Sequence, residues 1–85
     1  MSHQFNNWID TFLSEKGINL ETGFIVEKED SIFGDNHMTI GSVVEAMKAT
    51  GPSEQQAIKN NFVKIDFMNG DVTGYIKHLA QAIAV

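Results

Sequence analysis

The side chains able to do chemistry in this chain are three histidines, five serines and eleven carboxylates, with no cysteine. His3, His37 and His78 stand far apart, and no two are four residues apart on one helical face. The spacing that brings two imidazoles to one metal ion is therefore missing, and Asp35 or Asp71 completes no ligand set. The lack of cysteine removes thiolate ligands, disulfides and thiol nucleophiles together. Ser2, Ser14, Ser31, Ser42 and Ser53 lack the strand–turn–helix context of a nucleophile elbow, and Ser42 and Ser53 have helix-capping roles open to them. Glu27, Glu29 and Asp30 are crowded enough for one carboxyl to act as a general acid, but a solvated acidic loop is the simpler reading. Gly34, Gly41, Gly51, Gly70 and Gly74 are isolated from one another, so no glycine-rich loop cradles a phosphate. The expectation is a protein that is not an enzyme, with no catalytic, cofactor or metal site.

Charge narrows the partners. The net charge is −5, and all of the excess lies in residues 1–37, where seven acids face Lys16 and Lys28. Residues 38–85 carry four acids and four lysines, and the chain has no arginine. Arginine is the usual bidentate reader of phosphate and guanine, so neither nucleic acid nor a membrane surface is the expected partner. No apolar run approaches the roughly 18 residues of a membrane span, and Met1–Asn7 has no basic-then-apolar leader pattern. Both features point to a cytoplasmic protein, as does the missing cysteine in so short a chain.

The elements must follow from apolar spacing. Phe5, Trp8, Ile9, Phe12 and Leu13 form one helical stripe, which predicts a helix over 4–16 closed by Gly17 in a Schellman end, with Ile18 packing back on Leu13. Residues 18–38 read as a small irregular β-hairpin. Gly23–Glu27 is one strand, Ile32-Phe33 or His37-Met38 its partner, and Gly34-Asp35-Asn36 the turn. Ile40, Val43, Val44 and Met47 predict a helix over 39–50 with Thr39 at its N-cap, and Ser42 with Glu45 offer a second box one turn later. Gly51-Pro52 closes this helix, glycine taking the terminal left-handed conformation.

Ser53-Glu54-Gln55-Gln56 has the form of a capping box and opens a third helix over 53–68, with Ala57, Ile58, Phe62 and Ile65 inward. A competing reading takes Val63–Phe67 as a strand, with Asn69-Gly70 as a hairpin turn. Asp71 caps a fourth helix over 72–84 whose stripe is Val72, Tyr75, Ile76, Leu79, Ala80 and Ile83. The fold class is α+β, predominantly α: one small domain spanning 1–85, with a core of Trp8, Phe12, Ile40, Val44, Ile58, Phe62, Tyr75 and Leu79.

One surface stands out. In the third helix Val63 and Phe67 lie roughly opposite Ile58, Phe62 and Ile65, so something must cover them: the 18–38 segment, a second copy of the chain, or another protein. The expected function is accordingly a non-catalytic protein–protein interaction module that self-associates as a homodimer. Its candidate partner-binding residues are Val63 and Phe67, with the acidic Glu27, Glu29 and Asp30. The first alternative is a small acidic inhibitor, of mobile-element or phage type, that uses those acids as a decoy against a nucleic-acid-handling protein. The second is a helix-turn-helix regulator reading bases with Gln55, Gln56, Lys59 and Asn60. With no ligand spacing in the sequence, zinc and other divalent ions should leave the melting temperature unchanged. Tight binding stabilises by about 2.7 kcal/mol at a hundredfold excess over the dissociation constant, so differential scanning fluorimetry decides the matter. A metal-specific shift abolished by His37→Ala or His78→Ala refutes the expectation.

Overall fold

The computed structural model describes residues 3–26 and 36–83. The chain runs α1 (His3–Glu15), β1 (Gly23–Val26), β2 (Asn36–Thr39), α2 (Ile40–Lys48), α3 (Pro52–Phe67) and α4 (Val72–Ile83). Four helices and an antiparallel two-stranded sheet make this an α+β fold that is predominantly helical, as the spacing predicts.

The end of α1 follows its sequence closely. Gly17 takes φ +71°, its N–H donates to the Ser14 carbonyl at 3.0 Å, and the Ile18 N–H donates to the Leu13 carbonyl at 3.0 Å. These are the two bonds of a Schellman motif, and they close carbonyls that the helix leaves open. In the sheet Gly23 pairs with Thr39, Phe24 with Met38, Ile25 with His37 and Val26 with Asn36. Of the two candidate partner strands, the one holding His37-Met38 is used. Asn36, read from sequence as part of the turn, is a strand residue; Ile32-Phe33 and Gly34-Asp35 lie outside the described residues. Along β1 the burial alternates, with Phe24 half-buried, Ile25 exposed and Val26 buried, which is the period of a strand covered on one face.

β2 feeds directly into α2, and the join satisfies each of the first backbone donors of that helix. The Ile40 N–H donates to the Thr22 carbonyl at 3.0 Å and the Gly41 N–H to the Leu20 carbonyl at 2.8 Å. The Ser42 N–H donates to Thr39 Oγ1 at 3.1 Å, and the Thr39 N–H donates to Ser42 Oγ at 3.2 Å. Thr39 and Ser42 thus form a reciprocal capping box, and the pairing of Ser42 with Glu45 is not used. Gly41 suits this close approach, since a Cβ would sit 3.1 Å from the Leu20 carbonyl oxygen and crowd it.

The junction between α2 and α3 departs from the sequence reading. α2 stops at Lys48 with Ala49 as a right-handed C-cap, and Gly51 is not left-handed but extended, at φ −78° and ψ 170°. Gly51 is the N-cap of α3 and Pro52 its first residue, where the missing proline N–H costs nothing. The expected Ser53 capping box is therefore overturned: Ser53 already lies inside the helix. Gln55 does a different job. Its side chain is 4 % exposed, and Nε2 donates to the Lys48 carbonyl at 3.1 Å and the Thr50 carbonyl at 2.9 Å. One buried amide thereby closes the C-terminal end of the preceding helix.

α3 continues through Phe67, so the strand reading of Val63–Phe67 fails. Asn69-Gly70 closes the helix instead of turning a hairpin. Asn69 takes φ 56°, its N–H donates to the Asp66 carbonyl at 3.1 Å, and the Gly70 N–H donates to the Ile65 carbonyl at 2.7 Å. Asp71 then caps α4, accepting the Gly74 N–H on Oδ1 at 2.9 Å.

The core is centred differently from the expected set. Ile40, Val44 and Phe62 are buried, as anticipated, together with Phe5, Ile9, Leu13, Val26, Val43, Met47, Ile76 and Ala80. Trp8, Phe12, Ile58, Tyr75 and Leu79 pack against that cluster only partly buried. Each helical stripe is wider than the contact it makes, and the bulky rings occupy the stripe edges, where they still reach the surface. Lys48 pins α1 to α2 across the rim, its Nζ 2.8 Å from Asp10 Oδ1.

Gln55→Ala should destabilise the fold by about 1–3 kcal/mol, since a buried side chain is lost and two part-buried carbonyls lose their donor. Gln56→Ala, next in sequence but exposed, should change stability by less than about 0.5 kcal/mol. Urea denaturation midpoints of the two variants test the assignment, and equal shifts overturn it.

Candidate partner-binding face

α3 carries two different faces, and Phe62 decides which one points inward. At about 100° per residue, Gln55, Ile58, Lys59, Phe62, Ile65 and Asp66 gather on one side, and these are the buried or half-buried positions of the helix. Ala57, expected in the inward stripe, is exposed. Asn61, on one edge, donates from Nδ2 to Tyr75 Oη at 3.0 Å and ties α3 to α4. The other edge faces α1. There Lys59 Nζ lies 5.4 Å from the centroid of the Trp8 ring, and Lys16 reaches both the Phe12 ring and the Asp66 carboxylate.

The outward side carries Gln56, Asn60, Val63 and Phe67, all exposed. Steps of four, three and four residues describe a nearly straight line along a helix, the spacing of a coiled-coil seam. Its N-terminal half is polar, with Gln56 Nε2 donating to Asn60 Oδ1 at 3.0 Å. Its C-terminal half is apolar: Val63 is 49 % exposed and Phe67 87 % exposed, with Met68 beside them at 67 %. The structure thus leaves Val63 and Phe67 exposed in one line of α3, and Met68, the next residue, is exposed as well. Sequence spacing could have found the seam, because Gln56 and Asn60 complete it; polar residues conceal such a pattern when only apolar positions are followed.

The described strands do not cover this face. β1 packs on α4 and β2 on α2, away from the outer side of α3. Of the 18–38 segment expected as one possible cover, residues 27–35 lie outside the described residues. Glu27, Glu29 and Asp30 lie outside the described residues.

Among the described residues, two grooves have charged side chains that are already engaged. A groove of about 320 Å³ at the α3–α4 turn is lined by Lys16, Asp66 and Asp71, among others, but Lys16 pairs with Asp66 and Asp71 caps α4. A second groove, of about 490 Å³, lies over Leu13, Ile18 and Leu20, and its charged rim is the Asp10–Lys48 pair. His37 sits in β2 and His78 on α4, both exposed. Among the described residues no three His, Asp or Glu side chains come together where they could hold a metal ion. Among the described residues no helix is long and apolar enough to cross a membrane. Of the four side chains expected outward for base reading, Gln56 and Asn60 are exposed, Gln55 is buried, and Lys59 is half-buried over Trp8. No family model, curated protein or solved structure matches the chain.

The two phenylalanines of α3 should behave oppositely. Phe62→Ala should cost about 3–5 kcal/mol, the usual loss for a fully buried ring. Phe67→Ala should change the stability of the isolated chain by less than about 0.5 kcal/mol, because its ring touches water already. Chemical denaturation at low protein concentration measures both; a large loss at Phe67 means that this face is covered within one chain.

Proposed function

We propose that the protein is a non-catalytic protein–protein interaction module that self-associates through the outer seam of α3. The observation that carries this reading is the exposure of Phe67, 87 %, in line with Val63 and beside Met68. A large ring left in water on a well-formed helix is an unusual use of an aromatic residue, and burying it is worth about 1.5–3 kcal/mol before the costs of association. Val63, smaller and already half-covered, adds less. A stable interface buries roughly 800 Å² per partner, more than three side chains supply, so docking must run along the seam and bring Asn60 and Gln56 into its polar half. Polar residues in such a seam set register at some cost in stability, which suits a specific pairing better than a sticky surface.

In a two-fold pair the patch meets its own copy, so each substitution acts twice. Phe67→Asp should therefore yield a monomer with unchanged helical circular dichroism, and Val63→Asp should weaken the pair in the same direction. Sedimentation equilibrium over a concentration series checks this. A wild-type chain that stays monomeric throughout overturns self-association, and an oligomer that survives both substitutions overturns the choice of face. The acidic-decoy and helix-turn-helix alternatives have no comparable observation behind them.

A further inference from the structure

We propose that Asn69–Gly70 is a deamidation site held shut by the turn that ends α3, so that it reacts only when that turn opens. Seven asparagines occur in the chain, and Asn69 alone is followed by glycine. In the reaction the backbone nitrogen of Gly70 gives up its proton and attacks Cγ of Asn69. A nitrogen–carbon bond forms, the Cγ–Nδ2 bond breaks, and ammonia leaves with the proton, which makes a five-membered imide. Water then opens either imide carbonyl and leaves aspartate or isoaspartate at position 69. No oxidant or cofactor enters. Glycine on the attacking side removes the Cβ that would otherwise crowd the ring closure.

The fold favours both residues for a separate reason. Position 69 must take φ 56°, which asparagine tolerates better than most residues, and a Cβ on Gly70 would lie 3.0 Å from Ile65 Cγ2 and 3.3 Å from its carbonyl oxygen. The chemically weakest pair in the chain is thus a by-product of closing the helix. The same closure protects it. The attacking nitrogen donates its proton to the Ile65 carbonyl at 2.7 Å, and the left-handed backbone at Asn69 is pinned by the second bond, to Asp66. Neither the proton nor the backbone is free while both bonds hold.

Reaction makes opening permanent. A carboxylate at position 69 joins Asp66 and Asp71 at the negative end of α3, where a further anion is disfavoured. Isoaspartate adds a methylene to the backbone, and the two bonds of the motif no longer close together. The site therefore records unfolding of the α3–α4 turn as a covalent mark.

The test compares the whole chain, folded and in urea, during incubation at mildly alkaline pH, with peptide mass mapping and enzymatic isoaspartate labelling. In urea Asn69 should gain one mass unit before any other asparagine. Folded, it should react about tenfold more slowly or less, as local opening limits the rate. Asp71→Ala, which removes the α4 cap, should speed the folded reaction and leave the rate in urea unchanged. Equal rates in the folded and urea-held chains, a different asparagine reacting first in urea, or a folded rate insensitive to Asp71→Ala overturns the proposal.

Discussion

The ring of Phe62 lies where α1, α3 and α4 converge, 5.5 Å from Phe12, 6.3 Å from Trp8 and 5.0 Å edge-on from Tyr75. Such centroid distances are those of favourable tilted and edge-to-face aromatic contacts, each adding about 0.5–1.5 kcal/mol beyond the area buried. The contact also fixes the rotation of α3 about its own axis. With Phe62 pointing inward, Gln55 one end of the helix away falls on the carbonyls that end α2. Lys59 and Asp66 fall against α1, and Asn61 reaches Tyr75. Val63 and Phe67 are then forced outward. The face left exposed is a consequence of the face that packs.

A chain this short has little core to spend, and its helices are closed by specific hydrogen bonds at nearly every junction. Leu20 and Thr22 supply the carbonyls that receive the first donors of α2, and Thr39 with Ser42 completes that end. Gln55 closes the other end from within the next helix, and Gly17 and Asn69 close α1 and α3 in the same Schellman geometry. Each such bond contributes about 0.5–1.5 kcal/mol, a sizeable part of the stability of a small domain. Lysines finish the rims: Lys16, Lys59 and Lys77 lay their ammonium groups over Phe12, Trp8 and Phe24. Half-buried aromatic edges are thereby shielded while the charged heads stay wet. Against that economy, Phe67 is the exception, a large ring left exposed.

Much of this was legible in the residues alone. The 3.6-residue spacing of Phe5–Leu13, Ile40–Met47 and Val72–Ala80 located three helices, since a stripe of that period can be buried only by a helix. Gly17, Thr39 and Asp71 announced their caps, because few other residues satisfy those backbone geometries. Val63 and Phe67 were marked as a surface by the same arithmetic. What spacing could not determine was where along each broad stripe the contact falls, and so which of Phe5, Trp8, Ile9 and Phe12 would be central. Nor could it choose between two local grammars. Ser53–Gln56 has the form of a capping box and Asn69-Gly70 that of a hairpin turn, and each is equally good chemistry for another purpose. Only tertiary packing decided them, because Gln55 finds its acceptors at the end of α2 and in the turn after it, and Asn69-Gly70 is closed by Ile65 and Asp66, on a helix whose rotation is set by Phe62. Local propensity fixes what a segment is able to be; the neighbours with which it shares buried polar groups fix what it is.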